Sequence, residues 1–169
     1  ELWNRRALTE RLKEEWERVR RYGCPLAFVM ADLDYFKQLN DTFGHRMGDK
    51  VLAEVALVLR EIGRNVDLPC RYGGEEFAIL VPEQTADGAT ALAERYRRAV
   101  AEIRVPAGDK TAAPTASFGV SDSLGATGPD ELIEHADAAL YQAKQNGRNC
   151  VVAHTAVPAQ AIERAAAFD

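Results

Sequence analysis

Cysteine is scarce in this chain. Cys24, Cys70 and Cys150 are three among 169 residues, odd in number and far apart, with no CxxC pair or Cys/His cluster. That excludes a disulfide framework and a cysteine-based zinc site, and leaves reduced thiols that behave as small apolar residues. Long apolar runs are missing too. None approaches the roughly 18 residues of a membrane span, and no secretory signal is visible. Nor is there an excess of bases: 26 acids stand against 21, a net charge of −5. This argues against a phosphate-backbone binder of nucleic acid, but not against a small anion held by a few local cations. Neither GxGxxG nor GxxxxGK[ST] occurs, so any nucleotide is bound in some other way. These absences fit a cytoplasmic domain with no nucleic-acid partner and no membrane contact of its own. The chain opens without Met, on "ELWNRRALTE". It therefore reads as a piece of a longer protein, whose parent could be membrane-anchored.

What is present suits one compact domain. Apolar residues make up 47% of the chain, enough for a sizeable core. Asn4 is an N-cap for a helix over residues 5–21, with Leu8, Leu12, Trp16 and Val19 as its apolar stripe. "PLAFVMADLD" reads as a buried strand ending in acids, and "YFKQLNDTFG" as a short helix stopped by Gly44. Residues 47–62 carry Met47, Val51, Leu52, Val55, Val58, Leu59 and Ile62 on one helical face. "VDLPCRYGGEEFAILVP" is a hairpin around Gly73 and Gly74. An Ala-rich helix with a basic face follows, then a turn-rich loop, "VPAGDKTAAP", and a strand, "TASFGVSD". A last helix runs from Pro129 to about Asn146, with Gly147 as its cap, before a final strand, "NCVVAH". Residues 155–169 are an Ala-rich tail, which leaves 1–154 as the domain. The order of elements predicts a mixed α/β sandwich with antiparallel pairs, not a doubly wound parallel sheet.

The acids suggest chemistry. Asp32 and Asp34 close an apolar strand, and the amides of Tyr35, Phe36 and Lys37 follow at a helix start. Oxygen ligands there suit a hard cation, and the amides an anion. Glu75 directly follows the glycine turn. If the two strands are neighbours, Asp32 and Glu75 converge, and paired carboxylates repel unless a cation lies between them. On these residues alone, an acid-capped strand end and a solvated hairpin are equally open readings.

Three blocks, "DLDYFKQLNDTFGHRMGD", "RYGGEEFAILVP" and "ADAALYQAKQNGRN", together strongly resemble the GGDEF domains, the diguanylate cyclases, in family order and spacing over about residues 2–153. The signature here is the GGEEF variant. The resemblance implies a palm-like sheet of about five strands ringed by helices, similar to adenylate cyclase and polymerase palms. It implies condensation of two GTP into cyclic di-GMP and two pyrophosphates, with Mg²⁺ or Mn²⁺, two ions per active site. Asp32, Glu75 and the Leu33 carbonyl would be metal ligands. Glu75 would also assist deprotonation of the 3′-hydroxyl, and Glu76 would serve as a second metal contact or a structural group. Asn40 and Asp49 match the guanine-reading positions; an Asp accepts from guanine N1–H and the exocyclic amine, which favours GTP over ATP. Tyr35, Phe36 and Leu52 would border the nucleotide, and Gly73 and Gly74 leave it room. Lys37, Lys144 and Arg148 would hold phosphates. "RNVD", Arg64 to Asp67, matches the RxxD product-inhibition site, which Arg95 resembles the partner of, from a neighbouring domain. One GTP per domain implies at least a transient homodimer, and an upstream sensor domain that controls it. Only "LWNRR" remains of the family's usual opening turn. The competing reading is an inactive module that senses cyclic di-GMP or GTP.

Overall fold

The computed structural model describes residues 2–154. In chain order the elements are β1 (Trp3–Asn4), α1 (Arg5–Tyr22), β2 (Leu26–Leu33), α2 (Phe36–Phe43), α3 (His45–Ile62), β3 (Leu68–Gly73) and β4 (Glu76–Pro82). There follow α4 (Ala86–Glu102), β5 (Val105–Ala107), β6 (Lys110–Ala112), β7 (Ala116–Asp122), α5 (Pro129–Gln145) and β8 (Val151–Ala153). Six strands form one sheet in the order β1-β3-β4-β2-β7-β8. Its inner pairs are antiparallel, and only the edge pairs β1–β3 and β7–β8 are parallel. The mixed sandwich expected from the order of elements is the fold found.

Strand β2 is central and buried on both faces, which explains its unbroken apolar run. Ala27, Val29, Ala31 and Leu33 face a core shared with α3 and α4. Leu26, Phe28 and Met30 face a second core shared with α1 and α5. In α1, the Asn4 side chain accepts from the Ala7 amide at 2.9 Å, a true N-cap. Leu8, Leu12 and Trp16 are buried as the stripe predicts, and Val19 is partly buried. The α3 stripe divides likewise: Val51, Leu52, Val55 and Leu59 are buried, while Met47, Val58 and Ile62 pack at the margin.

The structure corrects three details. The segment expected as a loop, "VPAGDKTAAP", contains the β5–β6 hairpin, turning at Gly108 with φ +67°. Strand β1 adds a sixth strand to the main sheet; two residues are too few to show a pattern. Helix α5 is capped by Asn146, and Gly147 lies one residue beyond it at φ +103°. The tail, residues 155–169, lies outside the described residues. All three cysteines are free, and burial pushes the Cys70 thiol up to about 11, consistent with an apolar role. No helix among the described residues is long and apolar enough to cross a membrane.

Helix α5 lies directly on β7 because position 119 is glycine. A Cβ there would run into the Ala136 carbonyl and the Leu140 backbone. Backbone cannot give way as a flexible side chain can. Gly119→Ala should therefore cost about 1–3 kcal/mol of stability, read as a lower urea midpoint. An unchanged midpoint would refute the close contact.

Candidate active site

The site forms where β2 leaves the sheet. Register sets Asp32 beside Glu76 of β4 and Ser117 of β7, and the Leu33 amide donates to the Glu75 carbonyl at 3.3 Å. The hairpin turn thus meets the acidic end of β2, as the sequence anticipates. Alternation puts Asp32 on the Phe28 and Met30 face, which α5 covers. There Lys144 Nζ lies 2.8 Å from Asp32 Oδ2. Burial pushes the Asp32 carboxyl above its ordinary range; Lys144 pulls it back, and the charges of Glu75 and Asp34 raise it further.

The hairpin is irregular, with a bulge between Arg71 and Gly73. Bulges re-aim side chains, and this one stands directly before the acids. Arg71 braces the turn: its Nε and Nη2 donate to the Gly74 carbonyl at 3.1 and 2.9 Å. Glu75 is partly exposed and Glu76 is exposed. The Glu76 carboxylate folds back over Gly73, with Oε2 3.0 Å from where a Cβ would stand. Gly73 therefore gives room to Glu76, while the space over Gly74 is open.

Asp34 has a definite role that the sequence did not reveal. Its buried carboxylate accepts from Thr115 Oγ1 and Ser117 Oγ at 2.7 Å each, and from the Asn149 amide at 3.0 Å. It clamps β2 to β7 and to the α5–β8 loop. These partners lie 81 to 115 residues along the chain, so no local pattern announces them. Arg148, in the same loop, lies over the Tyr35 ring.

Asn40 and Asp49 sit on α2 and α3, on either side of a sharp break at Gly44. The Asn40 carboxamide lies against Gly48, where any Cβ would collide with its Oδ1; the Phe36 ring is close by. That Oδ1 is buried without a partner, an arrangement that costs about 1–3 kcal/mol. Asp49 and the largely buried Leu52 line a cleft of about 420 Å³ with Leu2, Ala53, Ala56 and Arg71. Lys37 is exposed on the first turn of α2. A larger cleft, about 520 Å³, lies between α1 and residues 65–68. It contains none of the β2 or hairpin acids of residues 32–34 and 75–76, so chemistry rather than size identifies the site.

The RxxD residues lie elsewhere, in the turn before β3. Arg64 Nη2 is 2.6 Å from Asp67 Oδ1, the Arg64 amide donates to Asp67 Oδ2 at 2.7 Å, and the Asp67 amide donates to the Arg64 carbonyl at 3.0 Å. Arg95 Nη2 donates to the Ile62 carbonyl at 3.2 Å, which brings it beside this turn within the same chain. Six residues of β3 separate the turn from the hairpin, about 20 Å at strand rise.

Among the described residues no group of three or more His, Cys, Asp or Glu side chains is placed to hold a metal. The anticipated set has only two such side chains, Asp32 and Glu75, with the Leu33 carbonyl as a third donor. They nevertheless fit a hard divalent ion. All are oxygen donors, and the Lys144 ammonium already supplies Asp32 with a cationic partner.

The family model for "Diguanylate cyclase, GGDEF domain" matches residues 1–150. The chain is 43% identical over 158 residues to the response regulator PleD of Caulobacter vibrioides, covering 92% of this chain and 35% of that protein. It thus spans about a third of that relative's length. The crystal structure of the GGDEF domain of DgcB from Caulobacter crescentus, in complex with c-di-GMP, superposes with a TM-score of 0.86 at 33% identity, over 90% of this chain and 89% of that one. The active GGEEF domain of a diguanylate cyclase from Vibrio cholerae gives 0.85 at 33% identity, over 92% and 99%.

The raised Asp32 carboxyl has a consequence for stability. The folded chain keeps this proton at pH values where the unfolded chain, near the ordinary 3.8, has lost it. Stability is therefore lost as pH rises from there through the raised value. Asp32→Asn removes that loss, so its unfolding free energy should gain on the native chain's over the same interval. Urea titrations at successive pH values test this; a pH-independent difference would refute it.

Proposed function

The chain belongs to the GGDEF family of diguanylate cyclases, and on that premise we propose that it condenses two GTP into cyclic di-GMP and two pyrophosphates across a homodimer, with inhibition by the product. The observation that supports this most is the meeting of Asp32 and Glu75 where β2 ends and β4 begins, with a lysine ammonium drawn to Asp32.

Each residue has a chemical task in this reading. Asn40 and Asp49 read the guanine edge, with Phe36 and Leu52 as apolar walls. The unpartnered Asn40 Oδ1 suits a residue that waits for a ligand. Lys37, Lys144, Arg148 and the amides following Asp34 hold the triphosphate. Asp32, Glu75 and the Leu33 carbonyl would be the oxygen ligands for Mg²⁺ or Mn²⁺, two per site, and the ions would supply positive charge against the phosphate oxygens. Glu75 takes the proton from the attacking 3′-hydroxyl. In each of two such steps a 3′-oxygen bonds to the α-phosphorus of the other GTP, and pyrophosphate leaves. Glu76, folded over Gly73, keeps the turn in shape. The reaction is cytoplasmic, and its control through an upstream sensor domain is consistent with relatives much longer than this chain.

Incubation of the chain with GTP and Mg²⁺, its dimerisation enforced by a fused coiled coil, tests the reading. Cyclic di-GMP should accumulate. A folded dimer that binds cyclic di-GMP but makes none would instead be a sensing module. Glu75→Gln should lower the rate at least about 100-fold with an unchanged melting temperature; an active variant would remove Glu75 from the site.

Product inhibition is assigned to Arg64, Asp67 and Arg95. A guanidinium can stack on guanine and grip phosphate, and a carboxylate can accept from the guanine edge. Arg95 would complete the site on a neighbouring domain. Arg64→Ala keeps the amide at position 64 that donates to Asp67 but strips that buried carboxylate of its guanidinium, so the variant should be less stable and is compared with the native chain at a temperature where both are folded. Initial rates should match the native chain while added cyclic di-GMP no longer inhibits. Unchanged inhibition would reject the assignment.

A further inference from the structure

The end of α5 is fastened to the exit of β2 at three points. Lys144 pairs with Asp32 at 2.8 Å, and the Asn149 amide donates to Asp34 at 3.0 Å. Between them Arg148 Cζ lies 4.5 Å from the centroid of the Tyr35 ring, and its Nη1 donates to Tyr35 Oη at 3.3 Å. The first two contacts have evident reasons. One compensates a desolvated carboxylate, and the other satisfies a buried one.

The third contact is different. Tyr35 is 55% exposed, so burial does not account for its ring. Its backbone is left-handed, φ +54°, a conformation in which Asn and Gly are more at ease than Tyr. Facing it, Gly147, Arg148 and Asn149 are left-handed in succession, at φ +103°, +66° and +46°. Two unusual turns therefore oppose each other across the site, and they touch through a ring and a guanidinium.

A free arginine has many rotamers, and a ligand that uses it must restrict them. An aromatic face restricts them beforehand. It takes up the plane of the guanidinium, while the N–H edge stays available to phosphate oxygens. We infer that Tyr35 is a positioning residue: its ring is a platform that presets Arg148 for the triphosphate, so that Tyr35 strengthens GTP binding through Arg148 and not by contact of its own ring with the nucleotide. This rests on Arg148 being a phosphate ligand, as proposed above.

The test is a double-mutant cycle read by calorimetric titration of the whole chain with 3′-deoxy-GTP, which cannot cyclise. Tyr35→Asn suits the left-handed backbone, so it removes the ring without adding strain. It should weaken binding about threefold to tenfold. Tyr35→Phe keeps the ring face and should restore binding to within about twofold. In an Arg148→Ala background, Tyr35→Asn should have no further effect, because the residue it acts through is gone. A purely structural role would weaken binding equally in both backgrounds, and that result, or a Tyr35→Asn variant with native affinity, overturns the inference alone. A native chain that binds no 3′-deoxy-GTP overturns the functional reading and this inference with it.

Discussion

A buried carboxylate must find donors, or it costs several kcal/mol. Asp34 is such a group, and the architecture of the site follows from how it is satisfied. Thr115 and Ser117 reach it from the start of β7, and the Asn149 amide reaches it from the loop after α5. Two segments remote in sequence are thereby fixed around the end of one strand. Asp32, two residues before the clamp, and Tyr35, one residue after it, inherit their positions from it. So do Lys144 and Arg148, which flank the other end of the same fastening. The proposed phosphate ligands are set on the sheet not by their own contacts alone but by a carboxylate that need never touch the nucleotide.

The site stands in some tension with the fold that carries it. Asp32 loses water on entering the edge of the core, and Glu75 and Asp34 add like charge. Lys144 relieves only part of this, since the carboxyl is still shifted upward. Asn40 Oδ1 and the left-handed Tyr35 are further local concessions. Such departures gather where a protein prepares for a ligand. Asp32, Tyr35 and Asn40 lie within seven residues of the β2 exit, although unpartnered buried polar atoms also occur at Thr90, Tyr96 and His135, in α4 and α5.

This division also governs what the sequence discloses. The cores were legible because burial imposes periodicity: β2 reads as an apolar run, and α3 as a helical stripe. The acids of β2 and the hairpin were legible because motif and spacing coincide. Asp34, Arg71 and Tyr35 were not, because their roles depend on partners that only the folded chain supplies. Asp34 bonds across more than 80 residues, and Arg148 meets Tyr35 across 113. The β5–β6 hairpin was missed for the opposite reason. Its strands have three residues each, too few for alternation to stand out against Gly and Pro. The RxxD turn shows the limit of a motif. Its Arg and Asp make a self-sufficient capped turn, so a structural role explains their spacing as well as a binding role does.

The paired acids of the hairpin show how far local geometry can separate equal residues. In a regular strand, Glu76, the register partner of Asp32, would direct its carboxylate alongside it. Instead it lies over Gly73, its partner on β3, where no side chain competes for the space. Glu75 belongs to the turn, yet of the two glutamates it is the one whose charge adds to burial in raising the Asp32 carboxyl. The bulge between Arg71 and Gly73 and the Arg71 brace on the Gly74 carbonyl shape the turn that carries Glu75. The ladder between β2 and β4 is regular up to the Asp32–Glu76 pair, so the direction of the Glu76 side chain, not a break between these strands, separates the two acids.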